Sequence, residues 1–262
     1  MSSGVQTGVP GLDQLVPGGF PKSWVVLVSG GPGSGKSILS AQYLYEGATK
    51  LQENGVCVLF EETTSRYLKN MASLGLDFTP LIGAKKIRFI NVSPLSTERE
   101  ERYKGLLKDY GLSPMTTTIS FEFSTEKLIE TLKAAVKEIN ASRIVVDSIT
   151  SFKIQLRDDF SVRQNISELF KGLNETGCTS LVTTEIKTGS LTESEFVVEE
   201  YLADGVIKLH RLVKGEMAEK AGSTVVRAFE VQKMRGVGID NDLHAYDITD
   251  KGLVVYPEVK VY

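Results

Sequence analysis

Residues Gly30-Gly31-Pro32-Gly33-Ser34-Gly35-Lys36-Ser37 have the spacing of a phosphate loop, G-x-x-x-x-G-K-[ST]. Glycines let backbone turn tightly around phosphate oxygens, and the following helix N-terminus adds N–H donors aimed at negative charge. Gly31, Pro32, Gly33, Ser34, Gly35, Lys36, Ser37 and Ile38 are therefore expected to surround the phosphates of a nucleoside triphosphate. The Lys36 ammonium should reach the β- and γ-phosphates and the Ser37 hydroxyl should ligate Mg²⁺. The flanks fit: Trp24-Val25-Val26-Leu27-Val28-Ser29 reads as a buried parallel strand, and Ile38, Leu39, Gln42 and Tyr43 continue with helical spacing.

Two further landmarks are acidic. Arg143-Ile144-Val145-Val146-Asp147 is an apolar strand ending in a carboxylate, the arrangement that holds Mg²⁺ beside the loop hydroxyl. Alone it would equally describe a strand capped by a turn residue; after a phosphate loop and an amphipathic helix it favours the metal role. Glu61-Glu62 follow the apolar run Val56-Cys57-Val58-Leu59-Phe60. A carboxylate at the carboxyl end of such a strand could orient or deprotonate an attacking water. The same pair could simply be a solvated start to a loop.

The elements around these residues alternate strand and helix, as in a doubly wound sheet. A Gly/Pro-rich lead-in over residues 1–22 is expected to pack on a single α/β domain spanning residues 23–262. The pattern predicts a helix over 36–53 stopped by Asn54-Gly55, a helix over 64–74 closed by Gly75, and a strand over 87–92. Another helix is expected over 124–140, with a core stripe of Leu128, Ile129, Leu132, Ala135, Val136 and Ile139. Residues 93–120 read as an insertion, a partner-binding loop or a solvated connection. From about residue 205 the pattern is β-rich, with turn signals at Lys214-Gly215, Gly236-Val237-Gly238 and Asp250-Lys251-Gly252.

Composition narrows the classes. Thirty basic and thirty-three acidic residues among 262 leave a net charge of −3, so no global field draws the chain to nucleic acid. Cys57 and Cys178 sit in apolar runs and are expected to be buried free thiols; with only two histidines, spacing assembles no zinc site. No secretion signal and no apolar run approaching the roughly 20 residues of a membrane span is evident, so a cytoplasmic protein with no membrane contact is expected.

Together, Thr7-Gly8-x-Pro10-Gly11-Leu12-Asp13, Gly18-Gly19-x-Pro21, the phosphate loop, Phe60-Glu61-Glu62 and Val146-Asp147-Ser148 resemble the KaiC-type branch of the RecA superfamily. Glu199-Glu200-Tyr201-Leu202-Ala203-Asp204-Gly205 and Lys233-Met234-Arg235-Gly236 extend the resemblance almost to the end of the chain. It implies a RecA-like P-loop NTPase fold, α/β with a mostly parallel sheet flanked by helices and a β-rich C-terminal part. It also implies a homo-oligomeric ring, usually a hexamer, with ATP between subunits. Glu61 and Glu62 match the catalytic glutamate pair, and Lys233 and Arg235 match residues that reach a neighbour's nucleotide. Thr183-Thr184-Glu185 lie where the superfamily often places a polar sensor of the γ-phosphate, although a plain polar strand end fits as well.

The chain departs from the clock-type pattern in two ways. It has the length of one copy rather than two, and Glu200 and Tyr201 stand where autophosphorylated Ser-Thr would be expected, which disfavours an autokinase. Ser190, Thr192 and Ser194 are nearby hydroxyls that nothing in the sequence selects. The favoured expectation is Mg-dependent ATP binding with slow hydrolysis. An ATP-gated binding module acting on a regulatory protein partner stays open. A RecA-like recombination ATPase is disfavoured because residues 185–196 are acidic on balance where DNA-binding relatives carry basic or glycine-rich loops.

Overall fold

Short runs rich in Val, Ile and Leu become buried strands because both of their faces are covered, and amphipathic segments between them supply the cover. The computed structural model describes residues 4–93, 116–120, 124–154, 156, 158–186, 198–213 and 225–261. Its strands are β1 (Val25–Gly30), β2 (Gly55–Leu59), β3 (Ile87–Ser93), β4 (Thr116–Ser120), β5 (Arg143–Asp147), β6 (Thr179–Glu185), β7 (Gly205–Val213), β8 (Val225–Met234), β9 (His244–Thr249) and β10 (Gly252–Lys260). They form one sheet in the order β10-β9-β8-β7-β1-β6-β5-β2-β3-β4. Pairing is parallel from β4 through to β7, the mostly parallel sheet that the resemblance implies, and the β-rich C-terminal part adds antiparallel pairing from β7 to β10.

The described helices are α1 (Leu12–Leu15), α2 (Lys36–Lys50), α3 (Thr64–Ala72), α4 (Thr79–Gly83), α5 (Thr125–Ile139), α6 (Ile149–Ile154), α7 (Asp159–Glu175) and α8 (Val198–Leu202). Side chains at their N-termini set several starts: Thr63 accepts from the Arg66 N–H, Ser124 from Lys127 and Asp158 from Ser161. On α5, Leu128, Leu132, Ala135 and Ile139 are buried, while Ile129 and Val136 are half-buried. Cys57 and Cys178 are buried free thiols.

Two boundaries differ from expectation. Helix α2 ends at Lys50, and Gln52 rather than Asn54 or Gly55 takes the left-handed conformation, with φ 57°. Gly55 already belongs to β2; a Cβ there would lie 2.5 Å from Leu44 Cδ2, so any larger residue would have to displace that buried side chain. Within 93–120, residues 116–120 pair in parallel with β3 as an edge strand, and residues 94–115 lie outside the described set, as does the turn signal at Lys214-Gly215.

The lead-in is tied down by specific bonds. Asp13 accepts from the backbone N–H groups of Thr7 at 2.8 Å and Gly8 at 3.3 Å, and Val5 pairs with Phe20. Val5, Val9, Leu12, Leu15, Val16 and Phe20 are buried in the core. Gly11, with φ 81°, lies where a Cβ would be 2.0 Å from the Val255 carbonyl oxygen, which explains a glycine at this point of the motif. Arg143, fully buried, donates to Glu53 at 2.6 Å, to the Tyr43 carbonyl at 2.7 Å and to the Gln6 carbonyl at 2.7 Å, with its guanidinium 4.4 Å from the Tyr43 ring centroid. One side chain thereby joins lead-in, α2 and the start of β5.

Candidate active site

Strand ends bring the predicted chemistry together. The loop leaves β1 after Gly30, and the register sets Gly30 beside Glu185 at the end of β6. Asp147 ends β5 opposite Leu59 of β2, and the Phe60 N–H donates to the Asp147 carbonyl, so Glu61 and Glu62 emerge at the same edge. This is the carboxyl-end crevice of an open parallel sheet, where such folds place ligands.

The loop is braced by its surroundings. Gly33 and Gly35 have φ of 70° and 96°. Tyr246 on β9 donates its hydroxyl to the Ser34 carbonyl at 2.6 Å, and Ile248 sits against Gly35. Arg211 on β7 approaches the outer lip, 3.4 Å from the Pro32 carbonyl oxygen. The antiparallel tail therefore props the loop from outside, a role that local pattern does not reveal.

Lys36 directs its ammonium to the carbonyls of Gly30 at 2.9 Å and Gly31 at 3.0 Å, and lies 3.8 Å from the Glu185 carboxylate. Burial pulls its pKa down, opposed by Glu185, Asp147 and Glu61. Asp147 is buried; burial pushes its pKa up, opposed by hydrogen bonds from the hydroxyls of Thr183 and Ser37. The Ser37 hydroxyl and the Asp147 carboxylate are thus adjacent hard oxygen donors facing the loop, the kind of donor set that suits Mg²⁺.

The two glutamates differ in environment. Glu61 accepts from the hydroxyls of Ser148 at 2.7 Å and Ser151 at 3.3 Å. Glu62 accepts from Asn70 at 3.3 Å and lies 3.9 Å from Arg66 one turn along. Burial, and then the nearby Asp147 charge, raise the Glu62 pKa above the usual carboxylate value. Alternation along β6 separates its polar end: Thr183 serves Asp147 and Glu185 faces Lys36, while Thr184 points to the opposite face and donates to Glu199 at 3.1 Å.

Lys233 and Arg235 do not join this cluster within the chain. Lys233 pairs with Val206, which pairs with Leu27, and the Arg235 N–H donates to the Asp204 carbonyl at the level of Val25. Arg235 thus sits near the start of β1, roughly 16 Å along the strand from Gly30 at about 3.3 Å per residue. Lys233 donates to the carbonyls of Glu200, Tyr201 and Ala203 at 3.0, 3.2 and 2.6 Å, closing the C-terminal end of α8. Arg235 donates to Asp204 Oδ1 and to the Tyr201 carbonyl, both at 3.2 Å.

A phosphate loop between a central parallel strand and a helix, faced by an acidic strand end, defines a nucleotide-binding P-loop protein of the RecA type. The KaiC ATPase family model matches residues 5–260. A UPF0273 protein of Pyrococcus horikoshii is 33% identical over 98% of this chain and 96% of its own. The circadian clock oscillator protein KaiC of Synechococcus elongatus is 30% identical over 97% of this chain, which spans 44% of that protein. The crystal structure of a KaiC-like protein from Pyrococcus horikoshii superposes with a TM-score of 0.76 at 31% identity, covering 97% of this chain and 98% of that one. The chain belongs to the single-domain KaiC-like family of nucleotide-binding ATPases. Among the described residues no helix is long and apolar enough to cross a membrane.

Proposed function

We propose that this chain is a Mg²⁺-dependent ATPase that turns over slowly, at sites shared between neighbouring copies in a ring, most simply a hexamer, of a cytoplasmic protein. The observation that carries the hydrolytic reading is the convergence of Lys36, Ser37, Asp147, Glu61 and Glu62 at one edge of the parallel sheet. The lead-in over 1–22 and the rest of the chain act in this account as one domain.

Lys36 and the amides of the loop hold the phosphates, and Ser37 with Asp147 holds the metal. When bound, Mg²⁺ neutralises phosphate charge. Glu62, whose raised pKa brings it nearer the working pH, takes the proton of the attacking water. Glu61, fixed by the Ser148 and Ser151 hydroxyls, orients that water. Lys233 and Arg235 stabilise charge on the γ-phosphoryl group of a neighbour. Their position far from the chain's own loop supports action across an interface.

Complementation tests this arrangement. Glu61→Gln/Glu62→Gln protein mixed with Lys233→Ala/Arg235→Ala protein should regain activity that neither has alone, because some interfaces then carry an intact half from each. No recovery in assemblies shown to be mixed would refute the shared site.

One contact favours a second reading, an ATP-gated switch with little turnover. Glu185 sits beside the Lys36 ammonium, where an arriving phosphate would compete for the same cation. Tight binding of ATP without release of phosphate would select that reading.

A further inference from the structure

A buried ionic cluster lies behind the site on the other face of β6. Glu199, at the start of α8, is 1% exposed. Its carboxylate accepts from the Thr184 hydroxyl at 3.1 Å and from the Lys153 ammonium, which also donates to Thr184 at 3.2 Å. Lys153 belongs to α6, the helix that follows Asp147 and carries Ser151, one of the two serines on Glu61. The cluster therefore touches the nucleotide edge through both β6 and α6.

The other end of α8 faces the opposite edge of the sheet. Thr184 is level with Ser29 near the top of β1, whereas the Asp204 N–H donates to the Val25 carbonyl at its start. The carbonyls that close α8 are those gripped by Lys233 and Arg235. The helix itself is only about 7.5 Å long at 1.5 Å per residue, so the link from Thr184 to the two cations runs through the Glu199 side chain at one end of α8 and the gripped carbonyls at the other.

We propose that Glu199 is a positioning residue that holds α8 so that Lys233 and Arg235 are correctly placed for the neighbouring site. The proposal rests on the shared-site reading above. A charged group this deeply buried is a poor means of stabilisation, since its desolvation offsets much of the pairing, whereas its directional bonds fix the register of α8. A purely apolar contact would let α8 slide or rotate, carrying its terminal carbonyls away from Lys233 and Arg235.

The test is complementation with Glu199→Gln. Alone, this variant should bind ATP within about threefold of the parent and turn over about tenfold more slowly, the scale of mutations that act through a coupled element. Mixed with Glu61→Gln/Glu62→Gln protein, whose Lys233 and Arg235 are well placed, it should recover activity. Mixed with Lys233→Ala/Arg235→Ala protein it should not. Lys153→Met should repeat the pattern and carries the test if Glu199→Gln does not fold. Undiminished turnover, recovery with the Lys233/Arg235 variant, or recovery with neither partner would overturn the proposal. The mixture of Glu61→Gln/Glu62→Gln with Lys233→Ala/Arg235→Ala serves as reference. Recovery there alongside the wrong pattern for Glu199 rejects this proposal alone, and no recovery there rejects the shared site and this proposal with it.

Discussion

Arg235 holds Asp204 at 3.2 Å at the end of the sheet opposite Lys36, so the cations at 233 and 235 and the phosphate loop of one chain face different directions. Replacing Lys233 and Arg235 by alanine should leave ATP affinity nearly unchanged and lower turnover by roughly 10³-fold, the scale of a cation supplied from outside a phosphoryl-transfer site. Steady-state kinetics with a separate binding titration separates the two effects.

Lys36→Ala removes the ammonium that the loop carbonyls and Glu185 now hold in place. Loss of charged hydrogen bonds worth about 1.5–3 kcal/mol corresponds to at least about tenfold weaker ATP binding. Equilibrium dialysis or fluorescence titration reads this directly, and tight binding retained by the variant would remove Lys36 from the site.

The double variant Glu61→Gln/Glu62→Gln should bind ATP while losing at least about 10²-fold in turnover, as expected when general-base assistance is removed. The pH profile carries the sign. A base acts deprotonated, and burial with the Asp147 charge raises the Glu62 pKa, so kcat/KM should fall on acidification at a pH above the usual carboxylate range. Arg66 lowers that pKa, so Arg66→Met should move the acid limb to higher pH, a small displacement because the Arg66 side chain is largely exposed.

Arg143→Met should destabilise the fold by roughly 1–3 kcal/mol, since it leaves the buried Tyr43 carbonyl without this donor while Glu53, about a third exposed, can still reach water. Glu53 would lose its cation, and the carbonyls of Tyr43 and Gln6 their donor. Denaturant melts with an unchanged slope and a lower midpoint would show it.

The loop, Asp147 and Glu61-Glu62 are each legible as candidates because the pattern of an apolar strand followed by polar residues is carried by contiguous residues. That the strand order sets these ends at one edge shows only in the sheet. Arg143 read only as the first residue of a strand, since its partners Gln6, Tyr43 and Glu53 come from distant segments. Glu199 and Lys153 likewise belong to helices of five and six residues, too short to show a periodicity, and their direct ion pair forms beside Thr184 of β6, far from both in sequence. Strand β4, Thr-Thr-Thr-Ile-Ser, carries almost no apolar signal, and pairing with β3 defines it. Asn54-Gly55 resembles a favoured helix stop, but Gly55 starts β2 packed against Leu44, and the chain turns earlier, at Gln52.

Hydrolysis of Mg-ATP is tested most directly by following the label of γ-labelled ATP incubated with the purified protein and Mg²⁺, with and without single-stranded DNA. Label should be released as free phosphate, little affected by DNA and lost in Glu61→Gln/Glu62→Gln. Label that stays on bound ATP, or is transferred to the protein, would contradict hydrolysis.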